Sequence, residues 1–86
     1  MLTVELLGHA LALAESLGYG VRHEWLGGCR GGVCEIAGKR WLFVDLALNP
    51  IEQLEQVAEA MRQDVRIHST PMPEPLQRLL EVRRAA

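Results

Sequence analysis

The sequence lacks an excess of positive charge and any long uninterrupted apolar run. Its 86 residues contain 9 lysines and arginines against 11 aspartates and glutamates, which gives a net charge of -2. This balance creates no electrostatic field that would hold a polyanion. Glutamate, histidine or glycine interrupts every apolar stretch before it reaches the roughly 18 residues of a membrane span. These absences argue against nucleic acids and membranes as partners.

The sequence also has few cysteines and no recognisable export signal. The apolar N-terminal segment, residues 1–17, carries Glu5 and His9 and lacks the basic start of a secretory signal peptide. We therefore expect a cytoplasmic protein. In that compartment Cys29 and Cys34 are reduced thiols unless they take part in redox or metal chemistry.

A chain of this length has room for one hydrophobic core. We interpret residues 1–86 as a single domain, with the proline-rich residues 69–75 as a stiff connector before a C-terminal helix. So small a domain buries roughly 60–65% of its unfolded surface. A large apolar patch left uncovered would therefore be a candidate subunit interface.

Glycine pairs divide the segment 25–46 into short stretches typical of β-strands. Together with the alternating residues 21–26 they predict a three-stranded antiparallel meander. Gly38-Lys39 is a plausible two-residue hairpin turn. This turn places Ile36 opposite Trp41 and Cys34 opposite Phe43. A symmetric first hairpin likewise pairs Trp25 with Cys34 and His23 with Ile36.

Helical periodicity flanks the strands on both sides. Apolar residues recur at helical spacing over residues 3–17, and Thr3 is the expected cap. Asn49-Pro50, followed by Glu52, predicts the start of a second helix. Residues 64–68 alternate weakly and are compatible with a fourth, edge strand. The predicted class is α+β, with helices on one face of an antiparallel sheet, in the order α-β-β-β-α-(β)-α.

The predicted register assigns the apolar residues to two faces. The face expected beneath the helices carries Val21, His23, Trp25, Cys34, Ile36, Trp41 and Phe43. The opposite face is too apolar at one end for a fully solvated surface. We therefore expect it to bind a second copy of the chain or another protein. The candidate interface residues are Leu26, Val33, Leu42 and Val44.

The sequence gives only weak indications of a metal, redox or catalytic site. Cys29 and Cys34 flank a glycine-rich turn and are the only thiol pair that could form a disulfide or share a metal, with His23 as a further metal ligand. Two buried or half-buried thiols are the favoured interpretation. His23 is better explained as a hydrogen-bonded histidine at the edge of the core, and Asp45 as an acceptor for nearby backbone amides.

The order of elements over residues 6–62 resembles the core of the small zincin-type metallopeptidases that regulate phage repressors. That resemblance implies a His-Glu-x-x-His motif on the second helix. The corresponding residues are Ala58-Glu59-Ala60-Met61-Arg62, so both zinc-binding imidazoles are absent. Peptidase activity therefore does not carry over to this chain.

We expect no catalytic residues, no cofactor and no tightly bound metal. The sequence favours a non-enzymatic interaction or regulatory module that self-associates through a sheet face. Two alternatives remain open. One is a metal-binding or redox protein centred on Cys29 and Cys34, and the other is an inactive zincin-like domain that binds a peptide.

Overall fold

The computed structural model describes residues 1–28 and 32–83. Within them the chain is an α+β domain with three α-helices, one 3₁₀ helix and a three-stranded sheet. The elements in chain order are α1 (Thr3–Ser16), β1 (Gly20–Glu24), β2 (Gly32–Ile36), β3 (Lys39–Asp45), α2 (Pro50–Arg62), the 3₁₀ helix Val65–Ser69 and α3 (Glu74–Leu79). The predicted α+β class and the order of helices and strands are confirmed. No helix within the described residues is long and apolar enough to cross a membrane.

The two long helices begin differently. Helix α2 has the predicted cap: Asn49 Oδ1 accepts a hydrogen bond from the Glu52 amide at 2.9 Å, and Glu52 Oε1 accepts one from the Asn49 amide at 3.1 Å. Helix α1 starts after Leu2 without any side-chain cap, so the predicted Thr3 cap is wrong. Helix α1 instead derives its stability from the apolar residues it buries.

The predicted fourth strand is a 3₁₀ helix. The Asp64 carboxylate accepts a hydrogen bond from the Arg66 amide at 2.9 Å, which turns the backbone at the start of the segment. Ile67 then enters the core, while Val65 is 78% exposed. The weak alternation therefore reflected one inward residue in a short helix, and the edge-strand prediction is wrong.

The sheet is mixed, which corrects the predicted antiparallel meander. Its order is β1-β3-β2, with β3 in the centre. Strand β1 runs parallel to β3, while β2 is antiparallel to it. Strands β1 and β2 are not neighbours, so the predicted pairings of Trp25 with Cys34 and of His23 with Ile36 are wrong. Residues 29–31 of the predicted first turn lie outside the described residues.

A backbone crossover explains this strand order. Because β1 and β3 are parallel, the chain leaving β1 must cross the C-terminal end of β3 to reach β2. Asp45 lies at that end, and its carboxylate accepts hydrogen bonds from the amides of Leu26 at 3.0 Å and Gly28 at 2.9 Å. The Leu46 amide also donates to the Glu24 carbonyl at 2.8 Å. Asp45 thus holds the crossing segment against the end of β3.

The β2–β3 hairpin turns one residue earlier than predicted. Its loop is Ala37-Gly38, with φ values of 52° and 81°, as a type I′ turn requires. Cys34 therefore lies opposite Trp41, and Ile36 opposite Lys39. The predicted pairings of Ile36 with Trp41 and of Cys34 with Phe43 are wrong by two positions. A shift of two preserves the side-chain alternation, so Cys34, Ile36, Trp41 and Phe43 still share one face.

The helices cover the opposite face from the one predicted. Leu42 and Val44 have no exposed surface and belong to the core. Trp41 and Phe43 are only partly buried, and Trp25 is 75% exposed. The core contains the apolar side of each helix as well as residues of the central strand: Leu7, Ala10, Leu13, Ala14, Tyr19, Leu42, Val44, Leu54, Val57, Ala58, Met61, Ile67, Leu76 and Leu80.

Candidate functional site

The sheet face away from the helices is the first candidate surface. We call it the outer face; by strand register it carries Arg22, Glu24, Cys34, Ile36, Lys39, Trp41 and Phe43. Ile36 is 50% exposed, and Cys34 is also exposed. Apolar side chains at the centre are surrounded by charges of both signs, which is the composition expected of a protein-binding surface.

Trp41 occupies the centre of the outer face. The Lys39 ammonium lies 4.6 Å from the centroid of its ring, and the Arg22 guanidinium carbon lies 5.1 Å away. The ring also lies against Gly20 of the neighbouring strand, where a Cβ atom would come within 2.9 Å of Trp41 Cδ2 and closer to other ring atoms. Glycine at position 20 therefore lets the indole lie flat on the sheet. Two cations hold it there from the solvent side.

The four predicted interface residues do not form one surface. Leu42 and Val44 are completely buried beneath the helices. Val33, which pairs with Leu42, is 43% exposed at the edge of the same face, and Leu26 is half-buried in the crossing segment. Leu42 and Val44 therefore cannot contact a partner in the folded chain. Self-association stays a prediction, but it requires different residues.

The described residues include two of the three predicted thiol and imidazole ligands. Cys34 lies exposed on the outer face, and Cys29 lies outside the described residues. His23 was predicted at the edge of the core on the helix-covered face; it lies on that face, opposite Val44 on the edge strand β1, but it is exposed. Among the described residues, no group of three or more metal-binding side chains comes together.

The α2 residues that correspond to the two histidines of the zincin motif have structural roles. Ala58 is fully buried in the core between α2 and its neighbours. Arg62 donates two hydrogen bonds, of 2.8 Å and 3.2 Å, to the Leu79 carbonyl at the end of α3. Its Nη1 lies 3.5 Å from Glu59 Oε2. Arg62 therefore fastens α3 to α2 at this position.

Asp45 bonds backbone amides, as predicted. Besides Leu26 and Gly28, the amide of Ala47 donates to Asp45 Oδ1 at 2.9 Å. Burial opposes ionisation of this carboxyl, but the three backbone hydrogen bonds together outweigh it, so the pKa of Asp45 lies below its usual value. The carboxylate thus accepts three backbone hydrogen bonds and holds the segments on both sides of the strand end.

A second candidate site surrounds Tyr19, a residue that the sequence did not single out. Its hydroxyl donates to Asp64 Oδ2 at 2.8 Å, and Arg66 grips the same carboxylate through Nε and Nη2, with the shortest distance 2.6 Å. Hydrogen bonding from Arg66 is the main cause that holds the pKa of Asp64 well below its usual range; burial opposes it. The same contact raises the pKa of Arg66.

Two adjoining clefts meet at Tyr19. The first, of about 640 Å³, lies between the end of α1, the hairpin turn and the 3₁₀ helix, and its lining includes Lys39, Arg40, Asp64 and Arg66. The second, of about 360 Å³, lies between the hairpin and α2. Tyr19, Arg40 and Gln63 line both clefts, which are therefore adjacent; the pair is called here the Arg40 groove.

The groove was missed because its residues are distant in sequence. Tyr19 follows α1, Arg40 lies in β3, and Asp64 and Arg66 flank the start of the 3₁₀ helix. Only the spacing of Asp64 and Arg66 was a local signal of an ion pair. Comparison with known proteins finds no matching family model, curated protein or solved structure.

Proposed function

We propose that this chain is a non-enzymatic interaction module that self-associates through the outer face of its sheet. The observation that supports it is the one-sided covering of the sheet: the helices bury Leu42 and Val44, while Ile36 and Cys34 remain exposed on the other side. A second copy is the occupant we favour. It would bury apolar surface that the helices of the described residues leave uncovered.

Charge complementarity supports a partner of the same kind. The outer face carries the cations Arg22 and Lys39 and the carboxylate of Glu24, which lies 3.7 Å from Arg22. Two such faces related by a two-fold axis can place unlike charges opposite each other around an apolar centre. The same arrangement offers little to a polyanion.

Sedimentation velocity from low to high micromolar concentration tests the proposal. The wild-type chain should sediment as a dimer at the upper end, and Ile36→Glu should remain a monomer because it places a charge on the exposed apolar surface of the outer face. Val65→Glu is the matched control, since Val65 is 78% exposed on the 3₁₀ helix. A wild-type monomer throughout, or equal weakening by both variants, would reject the proposal.

Cys34 provides an independent footprint of the same surface. In a Cys29→Ser variant Cys34 is the remaining thiol, and it is exposed in the single chain. Its alkylation rate should fall as protein concentration rises through the dimerisation range. A concentration-independent rate would place the contact elsewhere.

The alternative metal or redox function requires Cys29 and Cys34 to act together. We expect the protein, when purified without chelators, to contain no stoichiometric zinc and to show no hydrolase activity. Arginine at position 62 cannot lose a proton to become a ligand. Near-stoichiometric zinc that disappears in the Cys29→Ser, Cys34→Ser double variant would replace the interaction module with the metal-binding alternative.

A further inference from the structure

The Arg40 groove lies on the helix-covered side of the sheet, and it shares one residue, Lys39, with the outer face. One end is cationic: Lys39, Arg40 and Arg66 line it, with Asp64 as the single carboxylate there. Arg66 already neutralises Asp64. The other end is mostly apolar in its exposed surface, with Val33 and Ala60 between glutamine and glutamate side chains. The groove is thus amphipathic along its length.

Arg40 makes little use of its donors within the protein. Its described contact is one long hydrogen bond, in which Nη1 donates to the Tyr19 hydroxyl at 3.5 Å. Glu35 lies opposite Arg40 in the hairpin, but no carboxylate among the described residues lies within ion-pair distance of the guanidinium. A guanidinium normally binds acceptors at several of its five donors. Arg40 therefore has donors available to a ligand.

Tyr19 brings the second guanidinium to the same place. The central carbon of Arg66 lies 5.9 Å from the centroid of the Tyr19 ring, and its Nη1 is not used in binding Asp64. Tyr19 is 5% exposed, and its hydroxyl is fixed by Asp64 and contacted by Arg40. The buried phenol and carboxylate thereby give the two arginines a fixed support.

We propose that the Arg40 groove binds a small organic anion: a carboxylate or phosphate group on an apolar body. Arg40 holds the anionic group beside Tyr19, with Arg66 Nη1 as a second donor. The apolar body lies along Val33 and Ala60. Charge-assisted hydrogen bonds to arginine favour such anions, and a cleft of about 360 Å³ is large enough for a small ligand body. Glu59 lines this second cleft and not the cationic one, so its charge disfavours a ligand that is acidic at both ends.

Nuclear magnetic resonance titrations of the full chain with three probes at constant ionic strength test the inference. Sodium hexanoate carries both features, 1-hexanol only the apolar body and sodium phosphate only the anion. Hexanoate should shift the amide signals of Arg40, Ala60 and Gln63 saturably and bind about tenfold or more tighter than either other probe. No saturable shift with hexanoate, or equal binding of hexanoate and 1-hexanol, would overturn the inference.

Two variants separate the halves of the groove. Arg40→Gln should reduce hexanoate affinity about tenfold, to that of 1-hexanol, while Arg78→Gln, a matched exposed arginine on α3, should leave it unchanged. Ala60→Leu fills the apolar end and should weaken hexanoate binding without affecting phosphate. Melting curves of each variant establish that it is folded. Equal effects of Arg40→Gln and Arg78→Gln, or undiminished hexanoate binding in Ala60→Leu, would contradict the assignment.

Discussion

The two faces of the central strand differ in the size of the residues they carry and in what covers them. On the covered face Leu42 and Val44 have no exposed surface, whereas on the outer face Trp41 and Phe43 are only half-buried. The helix residues of the core include several small ones: Ala10, Ala14, Val57 and Ala58. Small residues let helices approach a sheet closely, and the space then fits leucine and valine better than indole.

Hydrophobicity alone therefore does not decide which face of a small sheet is covered. The aromatic face carries the larger apolar side chains, and it was the face expected beneath the helices. Fit against the small residues of α1 and α2 selected the other face. Substitutions on the two faces test this explanation.

The largest difference is expected between Leu42→Ala and Ile36→Ala. Leu42 is fully buried, so Leu42→Ala should lower the free energy of unfolding by about 2–5 kcal/mol. Ile36 is 50% exposed, so its truncation should cost about 0.5 kcal/mol or less. Urea denaturation at low micromolar protein concentration, where self-association contributes little, measures both. Similar losses would mean that the faces are not covered as described.

Gly20→Ala tests the contact between the outer face and β1. The new methyl group would overlap the Trp41 ring, and relief requires the indole to move, so we expect a loss of about 1–3 kcal/mol. Gly8→Ala is the control: Gly8 lies in α1 with open space at its Cβ position, and alanine should stabilise the helix by about 0.5–1 kcal/mol. In a Trp41→Leu background the Gly20→Ala cost should largely disappear.

Substitution of the residue that caps α2 should lower the stability of the protein, whereas substitution at the start of α1, which has no side-chain cap, should not. Asn49→Ala removes the hydrogen bond to the Glu52 amide and should cost about 0.5–2 kcal/mol. Thr3→Ala should leave the melting midpoint unchanged or slightly raised, because Thr3 caps nothing. An unchanged midpoint in Asn49→Ala would show that packing on the covered face fixes α2 without its cap.

The smallest effect is expected for Lys39→Gln. This change removes one of the two cations over Trp41 and should cost about 0.5–1 kcal/mol. Arg78→Gln on α3 should cost nothing measurable, because its contact with Glu74 spans 4.0 Å between two well-exposed side chains. Raising the salt concentration should reduce the Lys39 effect. A cost equal to that of the control would mean that the Lys39 contact does not stabilise Trp41.

Local signals in the sequence were read correctly where the structure depends on neighbouring residues. The Asn49 cap and the helix after it follow from residues within one turn of each other. The alternation of faces along the hairpin survived the misplaced turn, because the turn error shifted the pairing by two. Ala37 at a positive φ was the difficulty, since glycine at position 38 suggested that it, and not Ala37, opens the turn.

Features that depend on distant residues were not predictable in the same way. Parallel pairing of Gly20 with Trp41 joins positions 21 residues apart, and no local pattern records it. The crossing segment held by Asp45 is equally non-local. The cluster of Tyr19, Asp64 and Arg66 assembles only once α1 and α2 have packed. The covered face and the Arg40 groove both depend on contacts between residues distant in sequence, so local sequence patterns did not predict either.

The crossover at Asp45 also bears on the order in which the sheet forms. The β2–β3 hairpin closes a two-residue turn, and such hairpins form in about 1–10 μs. Strand β1 reaches β3 only after the intervening segment has closed as a loop, which costs more chain entropy. We expect β1 to join a hairpin that already exists. Amide hydrogens of Val21 and His23 on that late edge strand should then exchange with solvent faster than those of Leu42 and Val44.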